Sequence, residues 1–159
     1  KTQGALNYII ELFNKNNIFY VVGGHAGLIL QGVKLKDDNE IDICTSKEGA
    51  YTIQQLLNSA CIDAISYKEL DWFKSHWGLF KVKGVKIEVM GDPKRKLKDG
   101  SWRGLPKKNI TSVVFNGKEV NVFTLKSEWA YYESTSYNKP KHKQVANKIK
   151  QAISGFNIH

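Results

Sequence analysis

The stretch that decides the fold is FYVVGGHAGLIL at residues 19–30, which is followed by EIDIC at residues 40–44. The apolar run that opens the first segment predicts a short buried strand ending at Gly23-Gly24, and the apolar residues after the glycines predict a short helix. The second segment alternates with a period of two and predicts another strand. Glycines between a strand and a helix let the backbone approach a ligand closely, and a helix N-terminus offers free N–H groups to a phosphate.

Acidic side chains follow the same alternation. A period of two places Glu40 and Asp42 together on the polar face of their strand. The later segment VKIEVM, at residues 85–90, predicts a strand whose polar face carries Glu88. If the two strands are neighbours, three carboxylates converge on one face of a sheet. Because such carboxylates repel each other, they need a compensating cation, and Mg²⁺ is the hard ion that takes carboxylate and phosphate oxygens together.

Periodicity and turn residues predict the remaining elements. Helices are predicted over residues 3–16, 46–58, 125–132 and 144–153, and strands over residues 62–67, 79–82, 85–90 and a hairpin at 113–122 that turns at Asn116-Gly117. The aromatic-rich residues 71–77 are expected to form a connection, and residues 92–109 an irregular loop. This order predicts an α+β (mixed α/β) fold, with a mixed central sheet flanked by helices. We expect one domain over residues 1–159, with 125–159 as its C-terminal helical part.

Composition excludes several classes of protein. With 42% hydrophobic residues spread along 159 positions, the chain is not disordered. No stretch approaches the roughly 20 apolar residues of a membrane-spanning helix, so we expect a soluble, cytoplasmic protein that does not associate with membranes. Cys44 and Cys61 are too far apart for a CxxC motif, so neither a zinc site nor a disulfide framework is indicated.

The net charge of +9 is concentrated in residues 92–109 and 139–159. Two interpretations stay open: a solvated surface, or attraction to the phosphates of a nucleotide or a nucleic acid. Arg95 and the lysines around it are candidate phosphate contacts under the second interpretation. Sequence-specific DNA binding is not indicated, since no helix-turn-helix, zinc-finger or RNP pattern is present. A nucleic-acid partner is therefore possible on charge but not required.

The motifs VVGGHA at residues 21–26, EIDI at 40–43 and KIEVM at 86–90 together resemble the minimal nucleotidyltransferase domains of the DNA polymerase beta superfamily. The small bacterial and archaeal members and the lincosamide-type antibiotic nucleotidyltransferases are the most similar subgroups. The similarity extends to residues 91–102 and to the helical end at 125–143, so it covers most of the chain.

The resemblance implies transfer of a nucleoside monophosphate from a nucleoside triphosphate to an acceptor hydroxyl, with release of pyrophosphate. In such a family the residues at Glu40 and Asp42 would hold Mg²⁺ against the triphosphate. The residue at Glu88 would complete a second metal site and help to deprotonate the acceptor. Gly23 and Gly24 would cradle the triphosphate.

Other polar residues are candidates for contact with the nucleotide. His25 begins the helix that faces the phosphates, and Lys36 stands where the family often has a basic residue before the acidic pair. His76 is a candidate for a phosphate or acceptor contact, or for a structural hydrogen bond within the aromatic connection. The aromatic residues Trp72, Trp77, Trp129 and Tyr131 are interpreted as packing residues rather than as a base-stacking platform.

Three functional hypotheses remain open from the sequence. The first is the enzyme described above. The second is a nucleotide- or nucleic-acid-binding module of the same fold that does not catalyse a reaction. Two departures from the family pattern would permit this: Glu40 replaces the usual first Asp, and His142 replaces the Asp of a Lys-Asp pair that is common near the C-terminus. The third is one subunit of a two-protein system that docks a helical partner through its final helices.

Overall fold

A computed structural model describes residues 1–134 and 139–158. Its α-helices are α1 (Thr2–Lys15), α2 (Gly24–Leu30), α3 (Lys47–Leu56), α4 (Leu125–Ser134) and α5 (Pro140–Ile158). Its strands are β1 (Tyr20–Gly23), β2 (Glu40–Thr45), β3 (Cys61–Glu69), β4 (Phe73–Val82), β5 (Val85–Lys96), β6 (Trp102–Arg103), β7 (Ile110–Phe115) and β8 (Lys118–Phe123). The α+β fold class predicted from the sequence is confirmed.

The strands form one mixed sheet in the order β3-β4-β5-β2-β1-β8-β7, with β6 paired to the end of β5. β2 and β5 are parallel, as are β1 and β8, and the other pairs are antiparallel. The hairpin between β7 and β8 turns at Asn116 and Gly117, which both have positive φ angles, of 50° and 75°. An Asn-Gly pair tolerates that conformation, so the predicted turn is confirmed.

The two faces of the sheet pack differently. One face packs against α1 and α3 in the main core, whose fully buried members include Ile9, Phe13, Ile41, Ile53 and Ile87. The opposite face carries a smaller apolar cluster of Val21, Cys44 and Phe123, with Met90 and Leu105 packed against it. A third cluster joins α2 to α5, and Trp129 of α4 packs there as predicted. The acids of β2 and β5 lie on the second face, which the main core leaves free.

Two predicted irregular segments are in fact strands. The sequence predicts a connection over residues 71–77, but β4 begins at Phe73, and His76 pairs there with Gly91 of β5. β5 also continues to Lys96, well into the predicted loop at 92–109, and pairs with β6. Local pattern fails in both places because pairing with the neighbouring strand, and not hydrophobic alternation, holds these residues extended.

Within the part of the chain that is described, no helix is long and apolar enough to cross a membrane. Cys44 is buried, Cys61 is half-buried, and both thiols are free.

Candidate active site

Three carboxylates meet where β2 and β5 run side by side. The parallel register sets Asp42 directly beside Glu88, and Glu40 precedes Asp42 by two residues on the same face. One carboxylate oxygen from each of the three residues lies within 4.8 Å of the other two, and all three side chains are half-buried. The structure therefore brings together the three acids that alternation predicts on one face of the sheet.

In this cluster of Glu40, Asp42 and Glu88, the carboxylates repel each other when no cation is bound. Burial, followed by the charges of Glu88 and Glu40, raises the pKa of Asp42 well above its ordinary value. Burial, together with a hydrogen bond to Glu88 and the charges of Glu88 and Asp38, raises the pKa of Glu40 to about 7. The Oδ1 atom of Asp42 is buried and has no hydrogen-bond partner among the described residues. Crowded carboxylates and an unpaired buried oxygen are a donor set that fits a divalent cation.

Gly24 shapes the cluster from the neighbouring strand. Gly23, at the end of β1, pairs with Asp42 of β2, and α2 begins at Gly24. Gly24 has φ +59°, and a Cβ atom there would lie 2.2 Å from the Oδ2 atom of Asp42. Only glycine meets both conditions, since a side chain would be strained and would collide with the carboxylate. The close approach of the Asp42 carboxylate therefore requires glycine at position 24. The same open backbone also suits the approach of a phosphate.

Trp77 supports Glu88. The sequence does not predict this role of Trp77 in the site. Its indole Nε1 donates a hydrogen bond of 2.7 Å to the Oε1 atom of Glu88. On its other side, the Nζ atom of Lys68 lies 4.2 Å from the centroid of the Trp77 ring. The sequence predicts Trp77 to be a packing residue within a connection, whereas the structure places it in β4. If Trp77 is assigned to β4, its position along that strand places its side chain next to the polar face of β5.

The Trp77→Phe variant is expected to bind Mg²⁺ about tenfold more weakly, since a hydrogen bond to a charged group contributes about 1.5–3 kcal/mol. Phenylalanine keeps the packing but releases the Glu88 carboxylate from its fixed orientation. Calorimetric titration with Mg²⁺ measures the change. The matched control is Trp102→Phe, because Trp102 is exposed and contacts Lys74 and Lys96 instead of the cluster. An affinity equal to that of the control would contradict the orienting role.

The other predicted contacts are dispersed. His25 lies in the first turn of α2, with its Nδ1 atom 3.6 Å from the Oδ2 atom of Asp38. Lys36 is exposed in the segment between α2 and β2. His76 is not brought to the carboxylates: it pairs with Gly91, three residues beyond Glu88, so it lies on the opposite face of the sheet.

The surroundings of His76 are aromatic. The Tyr51 hydroxyl and the His76 Nδ1 atom are hydrogen-bonded at 3.0 Å, and the ring of Tyr67 packs on the same histidine. The structure shows the structural hydrogen bond considered for His76, and the position of His76 on the opposite face of the sheet separates it from the three carboxylates.

A cavity of about 180 Å³ adjoins the cluster. Gly23, Gly24, Asp42 and Cys44 form one part of its wall, and residues of β4, β5, β6, β8, α4 and the segment after β6 form the rest. The Arg95 guanidinium lies 4.3 Å from the centroid of the Tyr131 ring, so Tyr131 is a cavity residue rather than simple packing. The cavity connects the acidic cluster to the basic segment noted in the sequence.

Glu128, on α4, is a second half-buried acid in the wall of this cavity. Burial raises the pKa of Glu128 to about 7, and the positive charge of Arg95 opposes this rise only in part. The raised pKa means that the folded protein binds a proton at Glu128 that the unfolded chain has already released above its ordinary pKa of 4.5.

The free energy of unfolding is therefore expected to fall as pH rises from about 4.5 to above 7, by up to about 3 kcal/mol from Glu128 alone. The Glu128→Gln variant should lack this component. Urea unfolding of both proteins is measured at several pH values with EDTA present. The difference between the two pH profiles isolates the contribution of Glu128, because both proteins contain the same three carboxylates. Glu133→Gln is the matched control, because Glu133 is exposed on the same helix. Parallel pH profiles for wild type and Glu128→Gln would refute the assignment.

A strand that ends in Gly-Gly, a short helix, an acid-x-acid strand and a third acid on a parallel neighbouring strand define the nucleotidyltransferase class of fold. Residues 5–148 match the family described as aminoglycoside-2''-adenylyltransferase, and the chain belongs to this family. It is therefore a member of a nucleotidyltransferase family, as the sequence motifs predict. A comparison with curated proteins finds no match.

Solved structures agree with this assignment. A protein of Thermotoga maritima, provisionally described as a nucleotidyltransferase, is 26% identical, with 97% of this chain and 93% of that chain covered and a TM-score of 0.71. The lincosamide antibiotic adenylyltransferase LnuA, solved with lincomycin, is 13% identical, with coverage of 94% and 96% and a TM-score of 0.64. ANT(2'')-Ia, solved with adenylyl-2''-tobramycin, is 14% identical, with coverage of 98% and 91% and a TM-score of 0.63. At these identities the last two share the fold.

Proposed function

We propose that this protein is a metal-dependent nucleotidyltransferase that moves a nucleoside monophosphate, adenylyl by the family description, from a nucleoside triphosphate to the hydroxyl of a small-molecule acceptor. The observation that carries the proposal is the convergence of Glu40, Asp42 and Glu88 within 4.8 Å beside the Gly23-Gly24 turn. Small-molecule acceptors are favoured because the related structures hold lincomycin and adenylyl-tobramycin.

Each acid has a definite part in the proposed site. Glu40 and Asp42 would hold the cation, and Asp42 would supply its buried Oδ1 atom, which has no hydrogen-bond partner among the described residues. Glu88, which Trp77 orients, would complete a second metal site and would accept the proton of the acceptor hydroxyl. When bound there, divalent cations would neutralise the charge of the phosphates and stabilise the attacking and leaving oxygens. The open backbone at Gly23 and Gly24 leaves room for the triphosphate, and His25 and Lys36 remain candidates for contact with it.

The bond changes of this reaction balance without another reactant. The acceptor oxygen forms a bond to the α-phosphorus, and the bond from that phosphorus to its bridging oxygen breaks. The electron pair leaves with pyrophosphate, and the proton of the hydroxyl passes to the Glu88 carboxylate. Catalysis of this kind depends on positioning and charge neutralisation more than on covalent chemistry by the protein.

Two measurements test the proposal. Calorimetry with a non-hydrolysable ATP analogue should show binding that requires Mg²⁺. Each nucleoside triphosphate, labelled at the α-phosphate, is then incubated with the protein, Mg²⁺ and a cell extract as the source of acceptor, and label should appear in a small molecule. Absence of metal-dependent nucleotide binding refutes the proposal. Binding without transfer of label to any acceptor supports the non-catalytic module instead.

A further inference from the structure

We infer that Lys68 is a positioning residue for Glu88 and that it acts through the indole ring of Trp77. The inference rests on the proposed function for the role of Glu88, whereas the contacts stand without it. The Lys68 Nζ atom is 2.7 Å from the Oδ2 atom of Asp63 and 4.2 Å from the centroid of the Trp77 ring. The indole Nε1 atom then donates its hydrogen bond of 2.7 Å to the Oε1 atom of Glu88. These contacts connect the edge strand β3 to the acidic cluster across β4.

The pairing of β3 with β4 places Lys68 beside Trp77. Ser66 is directly opposite Trp77, and Lys68 is opposite Ser75. Opposed residues of an antiparallel pair share one face of the sheet, so Lys68 is a diagonal neighbour of Trp77 on the face that carries Glu88. A long side chain such as lysine reaches a diagonal neighbour. The position of Lys68 over the ring therefore follows from the register of the strands.

An irregularity of β3 brings Asp63 to the same face. Residues five apart in a regular strand point to opposite faces, which would separate Asp63 from Lys68. The register of β3 against β4 shifts between Asp63 and Ser66, and Asp63 is opposite Leu79, on the face of Trp77. A β-bulge re-aims side chains in this way. Both members of the ion pair are more than a third exposed, so the pair contributes little to folding stability, and its effect is to fix where the ammonium group lies.

A cation above an indole ring makes the ring N–H a stronger hydrogen-bond donor. The ammonium group of Lys68 attracts the π electrons of Trp77, and groups connected in series polarise one another. The N–H of Trp77 binds a carboxylate, and such charge-assisted bonds are the strong ones. With its Oε1 atom held in this way, the Glu88 carboxylate cannot rotate freely. A fixed orientation is what a carboxylate needs to hold a cation or accept a proton at a defined atom.

The chain contains a second cation–π pair of the same construction, which serves as a matched control. The Lys74 Nζ atom lies 4.3 Å from the centroid of the Trp102 ring and 3.8 Å from the Oε1 atom of Glu69. Trp102 is opposite Lys96, at the other end of β5 from Glu88. The Lys74→Met variant therefore removes an equivalent cation from a tryptophan that does not orient the cluster.

The first measurement is made without metal or nucleotide. Lys68→Met keeps an unbranched side chain and removes its charge, and Lys68→Arg restores a cation. The readout is the indole N–H signal of Trp77 in a proton–nitrogen correlation spectrum, assigned with Trp77→Phe. We expect Lys68→Met to shift this signal upfield and to speed its exchange with solvent, because the hydrogen bond to Glu88 weakens. Lys68→Arg should retain most of the original position, and Lys74→Met should move only the signal of Trp102.

The second measurement is the affinity for Mg²⁺ and, at saturating Mg²⁺, the rate of nucleotidyl transfer. Lys68→Met is expected to lower the affinity and kcat about threefold each and to leave KM for the nucleotide unchanged, since an exposed cation–π contact contributes about that much. In the Trp77→Phe background Lys68→Met should have no further effect, because phenylalanine has no N–H to transmit it. Asp63→Asn frees the ammonium group without removing it and should have a smaller effect of the same sign.

An unchanged Trp77 signal in Lys68→Met, an equal response of that signal to Lys74→Met, or a full effect of Lys68→Met in the Trp77→Phe background overturns the inference. If the wild type transfers nucleotide and Lys68→Met transfers it equally well, the inference fails and the proposed function stands. If the Trp77 signal and the Mg²⁺ affinity respond as expected but no nucleotide is bound or transferred, the proposed function fails and Lys68 still positions Glu88.

Discussion

Replacement of Asp42 by asparagine is expected to lower nucleotidyl transfer by about a thousandfold, roughly 4 kcal/mol of transition-state stabilisation, and to abolish Mg²⁺-dependent nucleotide binding. Asp42 lies between Glu40 and Glu88 and holds the buried oxygen that the proposed cation satisfies. Asparagine has nearly the same shape but cannot neutralise a divalent ion. Label transfer and calorimetry measure the two effects.

The same variant is expected to be at least as stable as the wild type when metal is removed. Because burial raises the pKa of Asp42, the ionised carboxyl destabilises the folded state at pH values above its ordinary range, and asparagine removes this cost. Thermal unfolding in EDTA measures the change. Asp71→Asn is the matched control, since Asp71 is exposed in the turn before β4. Full transfer activity in Asp42→Asn, or a large loss of stability, would contradict the proposed role.

Replacement of Gly24 by alanine is expected to cost about 3 kcal/mol of folding stability and most of the transfer activity. A left-handed conformation costs a residue with a Cβ about 1–2 kcal/mol. At Gly24 the new methyl group also meets the Oδ2 atom of Asp42 at 2.2 Å, so the carboxylate must move away from the cluster. Chemical unfolding and label transfer measure the two losses.

Gly32→Ala provides a control with the same backbone problem and no collision. Gly32 has φ +87°, and a Cβ atom there would meet nothing within 4 Å. We expect this variant to lose only the conformational contribution of about 1–2 kcal/mol and to keep its activity. If the two alanine variants behave alike, the close approach of Gly24 to Asp42 is not what requires glycine at this position.

The sequence comes closest to the structure where a short-range rule governs a residue. Asn116-Gly117 specifies its own turn through the positive φ angles that these residues tolerate. Alternation places Glu40 and Asp42 on one face of β2, and it places Glu88 on the polar face of β5. Such patterns require only that a strand form, because a side chain's face follows from its position along the strand.

What only the tertiary structure decided is which distant residues meet at that face. The parallel pairing of β2 with β5 turns three separately placed acids into one cluster, and the pairing of β4 with β5 puts Trp77 beside Glu88 and His76 on the far side. Neither the bond from Trp77 nor the contact of Lys68 with its ring has a signature in the local sequence. The reason is physical: hydrophobic periodicity determines the direction of a side chain within its own element, whereas its neighbours depend on which strands pair and in which register.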